Sequence, residues 1–87
     1  MMKVKINRRA EIFRALGHSV RLSIVKGLLK DPCNVNKVVG WVNIPQSTVS
    51  QHLRVLKTAG IIKGERKGVQ ICYCVTDDFV REVLKFI

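Results

Sequence analysis

Acidic residues are scarce in this chain of 87: Asp and Glu number 6 against 16 Lys and Arg, a formal net charge of +10. An imbalance of that sign and size on so small a chain attracts polyanions and speeds association with them. Nucleic acid is therefore the leading partner class, and solubility alone explains neither the sign nor the size. A membrane surface fits less well, because no segment joins a strong apolar face to a dense lysine face. Long apolar runs are missing, so no stretch approaches the length of a membrane span. The opening stretch through Arg8-Arg9 is basic but lacks the apolar segment of a secretory signal. The expected location is the cytoplasm.

Cysteine is sparse as well. The three present, Cys33, Cys72 and Cys74, are too few for a disulfide framework and are expected to be thiols in a reducing compartment. The only histidines are His18 and His52. With no carboxylate pair, no nucleophile–base pair and no glycine-rich phosphate loop, the sequence offers nothing to an enzyme. Repeats, linkers and low-complexity tracts are also absent, so residues 1–87 read as one domain. Hydrophobic residues make up 47%, enough for a core and too much for a disordered chain. A domain this small buries a modest fraction of its surface, and dimerisation would add stability.

The hydrophobic period predicts mainly helix with one β-hairpin, in the order α-α-α-α-β-β-α. The first helix is expected from about Arg8 to Leu16, with Ala10, Ile12, Phe13 and Leu16 as its apolar side and Gly17 as its stop. Ser19 reads as the N-cap of a second helix over about 20–30, with Leu22, Val25 and Leu29 as one stripe, broadened by Ile24 and Leu28. Asp31-Pro32 ends it, since proline cannot continue the hydrogen-bond ladder. A short helix over about 35–42 follows, then a turn at Asn43.

The next helix, over about 46–59, has two unlike faces. Val49, Leu53 and Leu56 recur at i, i+4, i+7 and line an apolar stripe. Ser47, Gln51, Arg54 and Thr58 form a polar stripe, with Ser50 and Lys57 beside it and no acid. An ordinary solvated face would more often carry Glu–Lys pairs at i, i+4. A face of Gln, Ser, Thr and Arg suits base edges and phosphates in a DNA major groove.

After Gly60 the period changes to two. Segments 61–66 and 69–76 read as hairpin strands, with Lys67-Gly68 at the tip and Lys63, Arg66 and Lys67 set against Glu65. Asp77-Asp78 opens a last helix of about two turns, rich in apolar residues (Phe79, Val80, Val83, Leu84, Ile87), which needs a partner surface. The short turn between the third and fourth helices is a helix-turn-helix signal, and the basic hairpin is its wing.

Phe13-Arg14-Ala15-Leu16-Gly17-His18-Ser19-Val20-Arg21-Leu22, the run from Pro45 to Ile62, and Arg66-Lys67-Gly68 followed by Tyr73 are three distinctive blocks. In them the chain resembles the ArsR/SmtB family of winged helix-turn-helix repressors. Together the blocks span roughly residues 10 to 76. The resemblance implies a homodimer built from the first and last helices, and a sequence-specific regulator that binds an inverted-repeat operator. Half-sites would lie about one helical turn, ~34 Å, apart. It implies groove contacts from Gln46, Ser47, Thr48, Ser50, Gln51 and Arg54, and wing contacts from Lys63, Arg66 and Lys67.

Members of that family commonly release DNA when an inducer, frequently a metal ion, binds. This sequence departs from the metal-binding pattern. Asn34 and Asn36 stand where the family's Cys-x-Cys pair would be, and Asn is a poor ligand for soft metals. The last helix has no histidine, and Asp77 and Asp78 read as capping residues. No metal or cofactor is expected. His18 and His52 read as structural residues. On a strand Cys72 and Cys74 share one face, so they could form half of a soft-metal site or two oxidisable thiols, and Cys33 could form a redox link to one of them or across a dimer; as small apolar residues they are more simply explained as packing. A second function class also fits the scaffold: a winged-helix module that binds protein or RNA and leaves the major groove alone. Such a module would expose aromatic or aliphatic anchors on its fourth helix.

Overall fold

The computed structural model describes residues 2–32, 40 and 43–87. Among the described residues there are four helices and one antiparallel hairpin: α1 (Met2–Leu16), α2 (Ser19–Lys30), α3 (Gln46–Thr58), β1 (Ile62–Lys67), β2 (Gln70–Val75) and α4 (Asp78–Leu84). The helix expected over about 35–42 lies, apart from Gly40, outside the described residues.

Helix α1 starts at Met2, six residues earlier than the sequence reading placed it. Nothing in Lys3-Val4-Lys5-Ile6-Asn7 breaks a helix, and only the last two turns pack inward, through Ile12, Ala15 and Leu16. Ala10 is exposed rather than inward, and Phe13 is 51% exposed. Phe13 instead meets the Phe79 ring edge-on, with centroids 5.7 Å apart, while the Arg9 guanidinium lies over the Phe79 ring at 4.3 Å.

Helix α2 is capped by His18, not by Ser19, which is already helical. The neutral imidazole offers a lone pair at Nδ1, and the Val20 backbone N–H donates to it at 3.1 Å. Inside α2 the buried residues are Ile24, Val25, Gly27 and Leu28, whereas Leu22 and Leu29 are only partly covered. The inward stripe is thus rotated from the expected one; α2 is apolar on both sides, so spacing alone does not choose between them. At its end the Asp31 N–H donates to the Gly27 carbonyl at 2.8 Å, and Pro32 forces the chain out of the helix.

Helix α3 closes with a full Schellman arrangement. The Ile61 N–H donates to the Leu56 carbonyl and the Gly60 N–H to that of Lys57, both at 3.0 Å, while Gly60 takes φ +76°. Ile61 and Leu56 are both fully buried, so the turn that ends the helix also anchors the hairpin's start to the core. Strand β1 pairs with β2 in the register Ile62↔Val75 through Lys67↔Gln70. The two-residue loop is Gly68-Val69, one position later than expected. Gly68 holds φ +65° at the first loop position, the place a type II′ turn reserves for glycine. Helix α4 is capped by Asp77, whose Oδ1 accepts the Val80 N–H at 3.0 Å.

One core joins all of these. Ile12, Leu16, Ile24, Val25, Leu28, Val49, Leu53, Leu56, Ile61, Val75, Val80 and Leu84 belong to a single buried cluster. Among the described residues every buried side chain is apolar. Each such side chain contributes about 1.5–3 kcal/mol on burial. α3 is therefore fixed in rotation by Val49, Leu53 and Leu56, and its opposite face has no choice but to look outward.

Candidate nucleic-acid interface

The outward face of α3 is the one singled out by the polar stripe. Gln46, Ser47, Ser50, Gln51, Arg54, Lys57 and Thr58 are exposed, and Thr48 is half-buried. No acid occurs anywhere in α3. The helix begins directly after Pro45, whose carbonyl accepts the N–H groups of Thr48 and Val49 at 3.0 and 3.1 Å. The Pro45 side chain has no acceptor to cap with, so among the described residues no side chain caps the exposed start of α3. Such a terminus favours phosphate oxygens.

In the wing, Lys63, Arg66 and Lys67 are all exposed, but they do not form one patch. Pleating puts Lys63 and Lys67 on one face of the hairpin with Glu65, and Arg66 on the other. Gly64 explains the second face: a Cβ there would meet Ile71 Cγ2 and Tyr73 Cε1 at 3.0 Å, so glycine lets those side chains cover the strand.

Cys72 and Cys74 share a face opposite Glu65 and Lys63, as the alternation required. The expectation of open thiols fails at Cys72, which is disulfide-bonded, while Cys74 is a free, half-buried cysteine. A sulfur held in a disulfide has no thiolate to offer a soft metal, so the strand does not present a two-thiolate half-site. Cys33, like Asn34 and Asn36, lies outside the described residues. Among the described residues no group of three or more His, Cys, Asp or Glu is placed to hold a metal ion.

The two histidines come together beside the middle of α3. Their rings lie 4.5 Å apart at 49°. Arg21 Nη1 and His52 Nδ1 are 3.3 Å apart, and Arg21 Nε donates to the Ala15 carbonyl at 2.6 Å. One guanidinium thus ties the end of α1 and the start of α2 to α3. Burial pushes the His52 pKa below its ordinary value, and the nearby His18 and Arg21 push it the same way. Neutral His52 can accept from Arg21; charged His52 cannot. The sequence reading did not single out Arg21, because only the folded chain brings it to His52.

A family model described as "Bacterial regulatory protein, arsR family" matches residues 18–63. An uncharacterized HTH-type transcriptional regulator of Methanocaldococcus jannaschii is 39% identical over 84 residues, which cover 95% of this chain and 94% of that protein. The HTH-type transcriptional repressor SmtB of Mycobacterium tuberculosis is 35% identical over 79 residues, 91% of this chain and 58% of that longer protein. Among solved structures, the transcriptional repressor PagR of Bacillus anthracis superposes with a TM-score of 0.84 at 32% identity, covering 97% of each chain.

Proposed function

Because this chain belongs to the ArsR family of bacterial regulatory proteins and is a winged helix-turn-helix transcriptional regulator, we propose that it represses transcription as a homodimer seated on an inverted-repeat operator. The observation that carries this reading is the outer face of α3: exposed, free of acid, and held outward by three buried residues on the reverse side. Gln46, Ser47, Ser50, Gln51 and Arg54 would meet base edges or phosphates there, with Thr48 at its margin. Lys63, Arg66 and Lys67 would contact the phosphate backbone on either side of each wing. That face lacks the run of aromatic or aliphatic anchors that a protein-binding surface would show; Val55, at 40% exposure, is its one sizeable apolar residue.

Dimerisation is supported by apolar side chains that the single chain leaves in water. Met2, Val4, Ile6 and Phe13 on α1 are 77%, 71%, 58% and 51% exposed, and Phe86, just after α4, is 90% exposed. Large apolar side chains left exposed in such number favour association, and two-fold pairing would match two copies of α3 to two half-sites. Repression is supported by the similarity to proteins named as repressors.

The test is selection of bound fragments from genomic DNA by the purified protein. The expected result is enrichment of an inverted repeat with half-sites about one helical turn, ~34 Å, apart. Recovery of fragments with no shared sequence would contradict it.

A further inference from the structure

Beside the DNA-facing stripe lies a cleft of about 670 Å³, bounded by α1, the start of α2 and the trailing edge of α3. We propose that this cleft binds a small amphipathic organic anion, a carboxylate carrying an aliphatic or aromatic body, and that its occupancy withdraws Arg54 from DNA. The second half of the proposal rests on the DNA-reading role of α3; the first half does not.

The walls set the body of the ligand. Ala15, Val55 and Ala59 supply apolar surface, extended by the methylene stems of the arginines. The volume falls within the range usual for small-molecule sites and far exceeds a bare anion. The rim sets the charge. Arg8, Arg14, Arg21 and Arg54 line the cleft, against one carboxylate, Glu11. Three of these guanidinium groups have partners. Arg8 pairs with Asp77, Arg14 pairs with Glu11, and Arg21 holds the Ala15 carbonyl and His52. Arg54 has no hydrogen-bond or ion-pair partner among the described residues, and it stands where the cleft meets the polar stripe. A carboxylate would accept a bidentate pair from it, the geometry a guanidinium serves best.

The consequence for DNA follows from sharing one residue. A guanidinium engaged by a carboxylate cannot also bond a base or a phosphate, and the ligand's negative charge repels the duplex. Coupling between the two sites is reciprocal, so operator DNA must weaken the ligand by the factor the ligand weakens DNA.

The probes are octanoate and salicylate, with acetate as the anion lacking a body and octan-1-ol as the body lacking a charge. Binding is read first without DNA, from backbone and side-chain NMR shifts of the full chain, and then from operator affinity by fluorescence anisotropy. At least one of the two amphipathic anions should shift Arg54, Val55 and Ala59 and lower operator affinity about tenfold, a usual size for such coupling; acetate and octan-1-ol at equal concentration should do neither. Val55→Trp, which fills the cleft, should lose the anion-induced shifts at Arg54 and Ala59 measured without DNA. Arg14→Gln, a rim change that leaves the core untouched, should weaken the anion without abolishing DNA binding. The proposal is overturned if neither anion shifts those residues, if octan-1-ol acts as strongly, or if both variants respond like the parent. Shifts at the cleft without any operator would keep the ligand site and remove the DNA-reading account instead.

Discussion

Arg8 and Asp77 are 69 positions apart in sequence, yet Nη2 of the first lies 2.9 Å from Oδ2 of the second. The same carboxylate uses its other oxygen to accept the Val80 N–H, so one side chain both caps α4 and fastens it to α1. The Asp77 side chain is 11% exposed and that of Arg8 56%. The cap therefore outweighs the ion pair, which solvent screens. Asp77→Ala should destabilise the fold by about 1–2 kcal/mol, and Arg8→Ala by less than about 1 kcal/mol. Urea denaturation of the three proteins measures both; a larger loss at Arg8 would reverse the ranking.

Gly60 is the second point where a single atom matters. Its φ of +76° is strained for any residue with a Cβ, and a Cβ built there would sit 3.2 Å from Arg8 Nη1. The arginine tip can move, so the backbone term dominates. Gly60→Ala should cost about 1 kcal/mol in thermal or urea unfolding. No loss would mean that the Schellman turn is not what holds α3 to the hairpin.

His52 gives the fold a pH dependence of definite sign. Its pKa is lowered in the folded chain, chiefly by burial and further by His18 and Arg21. The unfolded chain therefore binds the proton more readily, and its histidine titrates near the ordinary value of about 6.5. The stabilising contribution is complete above that pH and is lost as pH falls through it toward the lower folded value. Thermal midpoints should decline as pH falls below about 6.5, and His52→Gln, which cannot charge, should flatten that limb. An unchanged limb in the variant would assign the decline elsewhere.

The sequence carried the site further than it carried the frame around it. α3 was legible because Val49, Leu53 and Leu56 fix its rotation and the polar residues fall on one remaining face. The glycine at the hairpin tip and the Asp77 cap were legible for equally local reasons. The start of α1 was not: Lys3 to Asn7 contains neither a cap nor a breaker, and no core contact marks where the helix begins. The inward side of α2 was legible in outline, since Ile24, Val25 and Leu28 are buried; only the weight given to Leu22 and Leu29, which pack at the margin and are as apolar, differs. His18 escaped notice as a cap because an imidazole accepts a backbone N–H only in its neutral form. Long-range features stayed hidden, among them the Arg21–His52 contact and the cleft beside Arg54, whereas a redox link at a wing cysteine was one of the readings open for Cys72.

The central claim is that the outer face of α3 reads bases. The measurement is the affinity of Gln51→Ala and Arg54→Ala for the selected operator and for random duplex, at one salt concentration, with Lys3→Ala as the reference charge loss. Each α3 variant should lose about 1–3 kcal/mol on the operator and much less on random DNA, while Lys3→Ala changes both slightly and equally. Equal losses on operator and random DNA for Gln51→Ala and Arg54→Ala would contradict the claim.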